Sequence, residues 1–267
     1  MFWDNHMHSS FSGDSDTPAI QMINAARALG LCGITFTDHL DLDYPSKYGF
    51  FDLDLKNYYP TLKKLAEENS TPDFTILVGM EVGIQPQIAK ECDRIVHEYD
   101  YDFIIGSTHL VDKIDPYFDD FWQGKPQQKL VRYYESILEN INSFTDFDSL
   151  GHLDYVFRYS PDPLLKADTY RPYKELVDEI LIQIIRMDKA LEINSGGLRK
   201  GMPDPNPSAD IIKRYKELGG KLITLGADAH NPTGIAYEFD MIKEMLLGIG
   251  YKEFAVYKNR KPEAFPL

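Results

Sequence analysis

Six of the seven histidines in this 267-residue chain lie where a short apolar run gives way to polar residues. His6 and His8 follow such a run in FWDNHMH, and a spacing of two places both side chains on the same face of a strand. Asp228 and His230 repeat that spacing in LITLGADAH. Further apolar runs end in GITFTDH with His39, FTILVGMEVGI with Glu81, FIIGSTH with His109 and SLGHLD with His152. Because parallel strands of an α/β barrel direct their carboxyl ends to one face, these side chains are expected to form one site.

Imidazole and carboxylate groups are good ligands for zinc, manganese and ferrous iron, and these motifs contain no cysteine, which disfavours a purely structural zinc site. The pattern therefore predicts a cluster of divalent metal ions. His97 lies inside a predicted helix, in DRIVHEYD, and is interpreted as a surface or packing histidine. Asp38, beside His39, either orients an imidazole from outside the cluster or caps the following loop.

The composition limits the possible partners. A formal charge of −14 argues against nucleic acid as the main partner, because affinity for its backbone depends on Lys and Arg; a small or cationic substrate is compatible with this charge. Cys32 and Cys92 are too few for a disulfide framework and predict reduced thiols. No apolar run is long enough to span a bilayer, and no cleavable leader is expected before His6. The expected location is the cytoplasm, without a membrane partner.

Predicted strands and helices alternate along the chain, which is typical of a parallel sheet with helical connections. The predicted strands are residues 2–8, 33–37, 74–82, 103–107, 148–153, 190–194 and 221–226, with 253–257 as a last strand or edge piece. The first predicted helix begins at Thr17-Pro18 and ends at Gly30. The other predicted helices are residues 55–69, 87–99, 127–141, 170–187, 208–218 and 232–247, and Gly248 marks the end of the last one.

Seven strand–helix units without a composition break predict a single α/β domain over residues 1–267. The expected fold is a distorted seven-stranded (β/α)7 TIM-like barrel, with the metal cluster at the carboxyl ends of its strands. A doubly wound open sheet is the alternative. The barrel is preferred because its closure brings ligands on the first and last strands together.

Three predicted connections are too long to be simple turns, and each follows a strand that ends in a histidine: residues 40–54, 110–124 and 155–168. Long loops on the ligand side of a barrel usually bind substrate or act as lids. Tyr117, Phe118 and Asp119 in the second loop are therefore predicted to contact the substrate.

Two arginines near the predicted ligand face stand out in an acidic chain, Arg158 in the third long loop and Arg199 after the sixth strand. A guanidinium group binds phosphate oxygens in a bidentate manner. Both arginines are therefore predicted to bind a phosphate group of the substrate, whereas Asn194 is expected to position a loop or a water molecule.

Together these motifs resemble those of the PHP (polymerase and histidinol phosphatase) family, over residues 6–230. The residues that carry the resemblance are His6-Met7-His8-Ser9 with Asp14, Thr37-Asp38-His39, Glu81, Ser107-Thr108-His109, Gly151-His152 and Gly226-Ala227-Asp228-Ala229-His230. Members of this family are described as distorted seven-unit barrels with a trinuclear metal site. Within the family, the length, the HMHSSFSGDS opening and the arginine-bearing loops are most similar to the histidinol-phosphate phosphatases.

The resemblance implies two to three divalent ions, zinc, manganese or iron, and a ligand set for each. The first ion is assigned to His6, His8, Glu81 and Asp228. Glu81 bridges to the second, which His109 and His152 also hold. The third is assigned to Asp14, His39 and His230. Asp14 stands where other members of the family have a histidine, which would make the third site harder and more labile.

The implied activity is hydrolysis of L-histidinol phosphate in histidine biosynthesis, in which a hydroxide that bridges two ions attacks phosphorus. Asp14 or His230 would stabilise or protonate the departing alkoxide, and Glu81, Arg158 and Arg199 complete the predicted catalytic set. The alternatives are a PHP phosphoesterase for a phosphotyrosine protein or a nucleotide, and a non-catalytic metal-binding module. An amidohydrolase-type barrel would need a bridging lysine at a strand end, and Lys221 lies at the beginning of its strand.

Overall fold

The computed structural model describes residues 2–267. Its strands are β1 (Trp3–Met7), β2 (Gly33–Phe36), β3 (His39–Leu40), β4 (Thr75–Val78), β5 (Met80–Gly83), β6 (Ile104–Ser107), β7 (Ser149–Leu150), β8 (Ala190–Asn194), β9 (Ile223–Gly226), β10 (Glu253–Lys258) and β11 (Lys261–Pro266). Its α-helices are α1 (Ala19–Ala28), α2 (Leu55–Asn69), α3 (Ala89–Val96), α4 (Pro126–Ser143), α5 (Lys174–Arg186), α6 (Gly196–Arg199), α7 (Ala209–Glu217) and α8 (Phe239–Ile249). No helix in this described part of the chain is long and apolar enough to cross a membrane.

The first nine strands form two parallel sheets, in the order β1-β2-β4 and β3-β5-β6-β7-β8-β9. Hydrogen bonds from Gly79 N to Phe36 O (2.7 Å) and from Glu81 N to Asp38 O (3.1 Å) continue the pairing from one sheet into the other. β2 with β3, and β4 with β5, are therefore two interrupted strands of one barrel.

The barrel closes between its first and last strands. His8 N donates to Ala229 O (2.9 Å), and Asp228 N donates to His6 O (2.8 Å). Seven parallel barrel strands thus follow one another in chain order, and the prediction of a distorted seven-stranded barrel is confirmed. Three of the four residues in these closing bonds, His6, His8 and Asp228, are ones whose side chains were predicted to bind metal.

The helices pack on the outside of the barrel through apolar faces. In α5 the buried residues are Val177, Ile180, Leu181 and Ile184, a helical spacing that produces one continuous apolar stripe. This helix is shorter than the predicted 170–187 because its first residues form a 3₁₀ turn at Arg171–Tyr173.

Several predicted boundaries were wrong, among them the start of the helix predicted at 232–247, which begins only at Phe239. The predicted strand 74–82 is interrupted at Gly79. The backbone of Gly79 packs closely against its neighbour, since a Cβ at this position would lie 2.3 Å from Phe103 O. Pro18 is the N-cap of α1 rather than its first residue. Gly248 lies inside α8, and Gly250, with a φ of +98°, ends that helix instead.

The predicted last strand, 253–257, is paired in an antiparallel hairpin with β11, which was not predicted. This hairpin packs at the amino-terminal end of the barrel. The rings of Phe103 and Tyr257 stack with centroids 5.2 Å apart, and Trp3 meets Phe265 edge to face at 5.6 Å. Since the hairpin covers one end, the carboxyl end of the barrel is the open one.

Candidate metal centre

The predicted metal ligands all lie at the carboxyl end of the barrel. His6 is in β1 and His8 directly follows it, His39 begins β3, and Glu81 is in β5. His109 and His152 lie two residues beyond β6 and β7, and Asp228 lies two residues beyond β9. Parallel strands present their last side chains at the same end of a barrel, so the local geometry follows from the topology.

The first group of ligands is buried. His6 Nε2 lies 3.1 Å from His8 Nε2 and 3.1 Å from Glu81 Oε2. Asp228 Oδ1 lies 3.4 Å from His8 Nε2 and 3.8 Å from His6 Nε2. His6, His8 and Glu81 are each 0% exposed.

A second group shares Glu81 with the first. Its other oxygen, Oε1, lies 3.1 Å from His109 Nε2 and 2.9 Å from His152 Nε2. Glu81 therefore directs one oxygen to each group, which is the arrangement of a bridging carboxylate.

The third group lies on the open side. Asp14 Oδ2 is 3.0 Å from His230 Nε2 and 3.8 Å from His39 Nε2, and the Asp14 side chain is 42% exposed. The ring of His8 stacks on His39 at 4.3 Å and on His230 at 4.0 Å. His39 Nδ1 also lies 3.1 Å from Glu81 Oε2, so the third group adjoins the first. All nine predicted ligands are thus brought together.

The donor atoms of this cluster fit divalent cations. Glu81 Oε2, His39 Nδ1 and His230 Nε2 are buried, and although other ligand atoms lie about 3 Å away, none of the three makes a hydrogen bond of favourable geometry within residues 2–267. Buried polar atoms normally have a partner, and imidazole nitrogens with carboxylate oxygens suit zinc, manganese or iron. Burial alone would raise the pKa of Glu81, but His6, His109 and His39 outweigh it and hold this pKa well below its usual range. The bridging group is therefore an anion.

An outer layer of side chains orients the imidazoles. Glu192 Oε1 lies 2.6 Å from His6 Nδ1, and Asp41 Oδ1 lies 2.8 Å from His109 Nδ1. A partner on Nδ1 fixes the ring and leaves Nε2 to face the metal. The sequence patterns did not indicate Glu192 or Asp41. One signal was present, because Glu192 lies two residues from Asn194 on the same strand and shares its face.

Asp38 acts on the loop that follows β1. It accepts hydrogen bonds from Ser9 N (2.6 Å), Ser12 N (3.1 Å) and Ser12 Oγ (2.7 Å). Ser12 Oγ in turn lies 3.0 Å from His8 Nδ1. Asp38 is thus linked to an imidazole through Ser12 and holds the loop in place.

Arg158 is buried beside the first group. Its Nη1 donates to Asp228 Oδ2, its Nε to Asn206 Oδ1 and its Nη2 to Asn194 Oδ1, each at 2.7 Å. Burial raises the pKa of Asp228, but Arg158 and then the neighbouring histidines outweigh this effect, and the pKa lies well below its usual range. Arg158 therefore holds Asp228 in place as a carboxylate, and its predicted contact with phosphate stays a prediction.

Arg199 supports the same strand end. Its Nη2 donates to the carbonyls of Ala227 and Asp228, both at 2.6 Å. Its Nε has no hydrogen-bond partner in the described part of the chain. Asn194 accepts from Gly196 N (2.8 Å), so it positions the loop after β8.

The predicted substrate contacts of the second long loop lie at or near the protein surface, and their contact with substrate stays a prediction. Tyr117 is 56% exposed, and the ring of Phe118 stacks on Tyr48 with centroids 4.4 Å apart. Asp119 is exposed, and its carbonyl accepts a hydrogen bond from Trp122 N (3.1 Å).

His97 lies on the surface, away from the centre, as predicted. Its side chain is 63% exposed, and its Nε2 lies 3.1 Å from Asp146 Oδ2.

Comparison with known proteins identifies the family. The PHP domain model matches residues 4–196. The histidinol-phosphatase of Lactococcus lactis is 31% identical over 265 residues, which cover 97% of this chain and 95% of that protein. A probable histidinol-phosphatase of Clostridium acetobutylicum is 32% identical over 242 residues, 90% of each chain.

A solved structure extends the comparison to three dimensions. The crystal structure of histidinol phosphate phosphatase from Lactococcus lactis, complexed with zinc, L-histidinol and phosphate, has a TM-score of 0.87. The two chains are 29% identical, and 98% of each is covered. This chain belongs to the PHP domain family.

Proposed function

We propose that this protein is a metal-dependent phosphomonoesterase that hydrolyses L-histidinol phosphate to L-histidinol and phosphate, a step of histidine biosynthesis. The observation that carries the proposal is the likeness, over 98% of both chains, to an enzyme whose crystal structure contains zinc, L-histidinol and phosphate. We place the reaction in the cytoplasm, in keeping with the free thiols of Cys32 and Cys92. Residues 1–267 would act as one phosphoesterase domain.

We infer the ligands of each ion from the three groups. His6, His8, Glu81 and Asp228 would hold the first ion, and Glu81, His109 and His152 the second. Asp14, His39 and His230 would hold the third. The distances of 2.9–3.8 Å between facing donor atoms support these assignments. Bound divalent ions would supply positive charge for the phosphate oxygens and would lower the pKa of a water molecule.

The protein side chains have separate tasks in this proposal. Arg158 would keep Asp228 ionised and in position, while Arg199 would bind a phosphate oxygen. Asp14 and His230 lie at the exposed side of the cluster, with side chains 42% and 25% exposed. These two groups would stabilise the departing alkoxide through the ion that they hold, while a water molecule would supply its proton.

The test compares phosphate release from histidinol phosphate and from p-nitrophenyl phosphate, on one protein sample whose metal content has been measured. We expect two to three metal ions per chain and a strong preference for histidinol phosphate. Equal rates on the two esters would overturn the substrate assignment and retain the phosphoesterase chemistry. Bound metal with no turnover of any phosphate ester would indicate a non-catalytic metal-binding protein.

A further inference from the structure

We propose that Asp115, within an arc of aromatic side chains above the metal centre, forms a subsite for the cationic, amine-bearing part of the substrate. The proposal rests on the phosphatase function proposed above. It adds the residue that decides which phosphate esters the enzyme prefers.

One half of the arc rises from the second group of ligands. The ring of Tyr155 lies 4.8 Å from His152 and 5.2 Å from Tyr159. Tyr159 in turn meets Tyr117 at 5.1 Å. This row of rings joins the third long loop to the second.

The other half rises from the third group of ligands. Phe51 packs edge to face on His39 at 5.5 Å, and Tyr44 lies 4.6 Å from Phe51. In the same loop Tyr48 stacks on Phe118, which adjoins Tyr117 at 5.0 Å. The three long loops thus place a continuous arc of rings between two metal-binding histidines.

Asp115 is hydrogen-bonded to two residues of this arc. The Tyr44 hydroxyl donates to its Oδ2, and Tyr117 N donates to its Oδ1 at 2.7 Å. The residue is 6% exposed. Asp119, one of the predicted substrate contacts, is exposed instead. Asp115 is therefore the carboxylate of this loop that is better placed to bind a substrate cation away from solvent.

No Lys or Arg in residues 2–267 forms an ion pair with Asp115. Two lysines of the same loops pair with other carboxylates, Lys113 with Asp43 at 2.9 Å and Lys47 with Asp120 at 2.7 Å, and Arg132 on α4 pairs with Asp112 at 2.8 Å. A buried carboxylate without a cation is costly, and its burial raises the pKa of Asp115 despite the two hydrogen bonds.

A cationic ligand would suit both features of this subsite, the unpaired carboxylate and the surrounding aromatic rings. A carboxylate has about four acceptor positions, so Asp115 can accept from an ammonium group in addition to Tyr44 and Tyr117. The faces of tyrosine rings attract cations as well. An ester with a positive charge near its phosphate therefore matches the site better than a neutral ester of the same size.

The test is Asp115→Asn, which keeps the shape and removes the charge. We expect kcat/KM for histidinol phosphate and for O-phosphoethanolamine to fall about 10- to 100-fold, mainly through KM. Hydrolysis of p-nitrophenyl phosphate, and inhibition by inorganic phosphate, should stay unchanged, while inhibition by L-histidinol weakens. Tyr44→Phe should produce a smaller loss with the same selectivity.

Asp112→Asn is the matched control. Asp112 is an exposed carboxylate of the same loop, and asparagine tolerates its φ of +50°. An equal loss on all esters in both Asp115→Asn and Tyr44→Phe, or no loss on the amine-bearing esters, would overturn the subsite. If histidinol phosphate is not preferred by the wild-type enzyme but Asp115→Asn selectively slows O-phosphoethanolamine, the substrate assignment fails and the subsite stands.

Discussion

Glu192 links two of the proposed metal positions through one buried carboxylate. Its Oε1 lies 2.6 Å from His6 Nδ1, while its Oε2 accepts from His152 N (2.8 Å) and Asn194 Nδ2 (3.0 Å). The barrel leaves space for it at Gly226, where a Cβ would lie 2.4 Å from Glu192 Oε1. A change at Glu192 should therefore disturb the ligands without removing one.

We expect Glu192→Gln to weaken metal binding about 10- to 100-fold, the usual effect of losing an outer partner of a metal-bound histidine. Glutamine has one acceptor oxygen, so its amide nitrogen must face a donor, at either His6 or His152. Metal content after dialysis against graded chelator would measure the change. Glu179→Gln, an exposed position on α5, should retain wild-type content. A Glu192→Gln protein with wild-type affinity would show that this carboxylate does not position the ligands.

Most of the metal-type residues could be predicted from the sequence because they end a recognisable apolar run, as His109 does in FIIGSTH, whereas Asp14 was assigned only through the resemblance to the family. The residues that orient these ligands from outside the cluster could not be predicted in this way. Asp41 is one of several acids in its loop, and only the path of that loop selects it for His109. Arg158 was expected to face the substrate, but the interior position of its side chain depends on Asn194 and Asn206 from elsewhere in the chain.

Two glycines near the end of α8 have opposite roles. Gly248 lies in the exposed helix interior, where an added Cβ would have no atom within 4 Å. Gly250 ends the helix at a φ of +98°, a conformation that L-residues rarely adopt. The sequence alone led to the wrong glycine because both follow the apolar stretch.

We expect Gly248→Ala to raise the free energy of unfolding by about 0.5–1 kcal/mol, because alanine favours the helical backbone. Gly250→Ala should lower it by about 1 kcal/mol, because alanine is strained at positive φ. Urea unfolding of the two variants beside the wild type would measure both effects. Destabilisation by Gly248→Ala would mean that the helix ends before residue 248.

The alternation of strands and helices was predictable because most buried strands are short apolar runs between helices of amphipathic pattern. β11 lacked this signal. Its sequence, KPEAFP, contains two prolines and two charged residues, and prolines in a strand are tolerated only at an edge. What makes this segment a strand is its antiparallel pairing with β10, the only strand that pairs with β11 within residues 2–267. That pairing cannot be read from the sequence of β11 itself.

Different kinds of contact join the elements at the two ends of the barrel. The β10–β11 hairpin packs at the amino-terminal end through apolar and aromatic contacts. At the carboxyl end, ligands from β1, β3, β5 and the loops after β6, β7 and β9 converge on one buried cluster. Metal ions at that cluster would tie together strands that are far apart in the sequence.

We therefore expect metal removal to lower Tm, and Tm to rise with free metal concentration. A ligand at 100 times its Kd stabilises the folded state by about 2.7 kcal/mol. Imidazole binds metal only when neutral, so this gain should be present above pH ~6.5 and should disappear as pH falls below that value. Differential scanning calorimetry of the metal-free and metal-loaded protein between pH 5 and 8 would measure the difference.

His97→Ala is the control for this pH effect, because His97 is an exposed histidine outside the cluster. The variant should show the same metal-dependent rise in Tm, with the same loss in acid. Replacing His8, which lies between His6, His39 and His230, should remove most of the rise. A metal-dependent Tm that persists unchanged at pH 5, or that survives His8→Ala, would contradict a histidine-rich centre that joins the strands of the barrel.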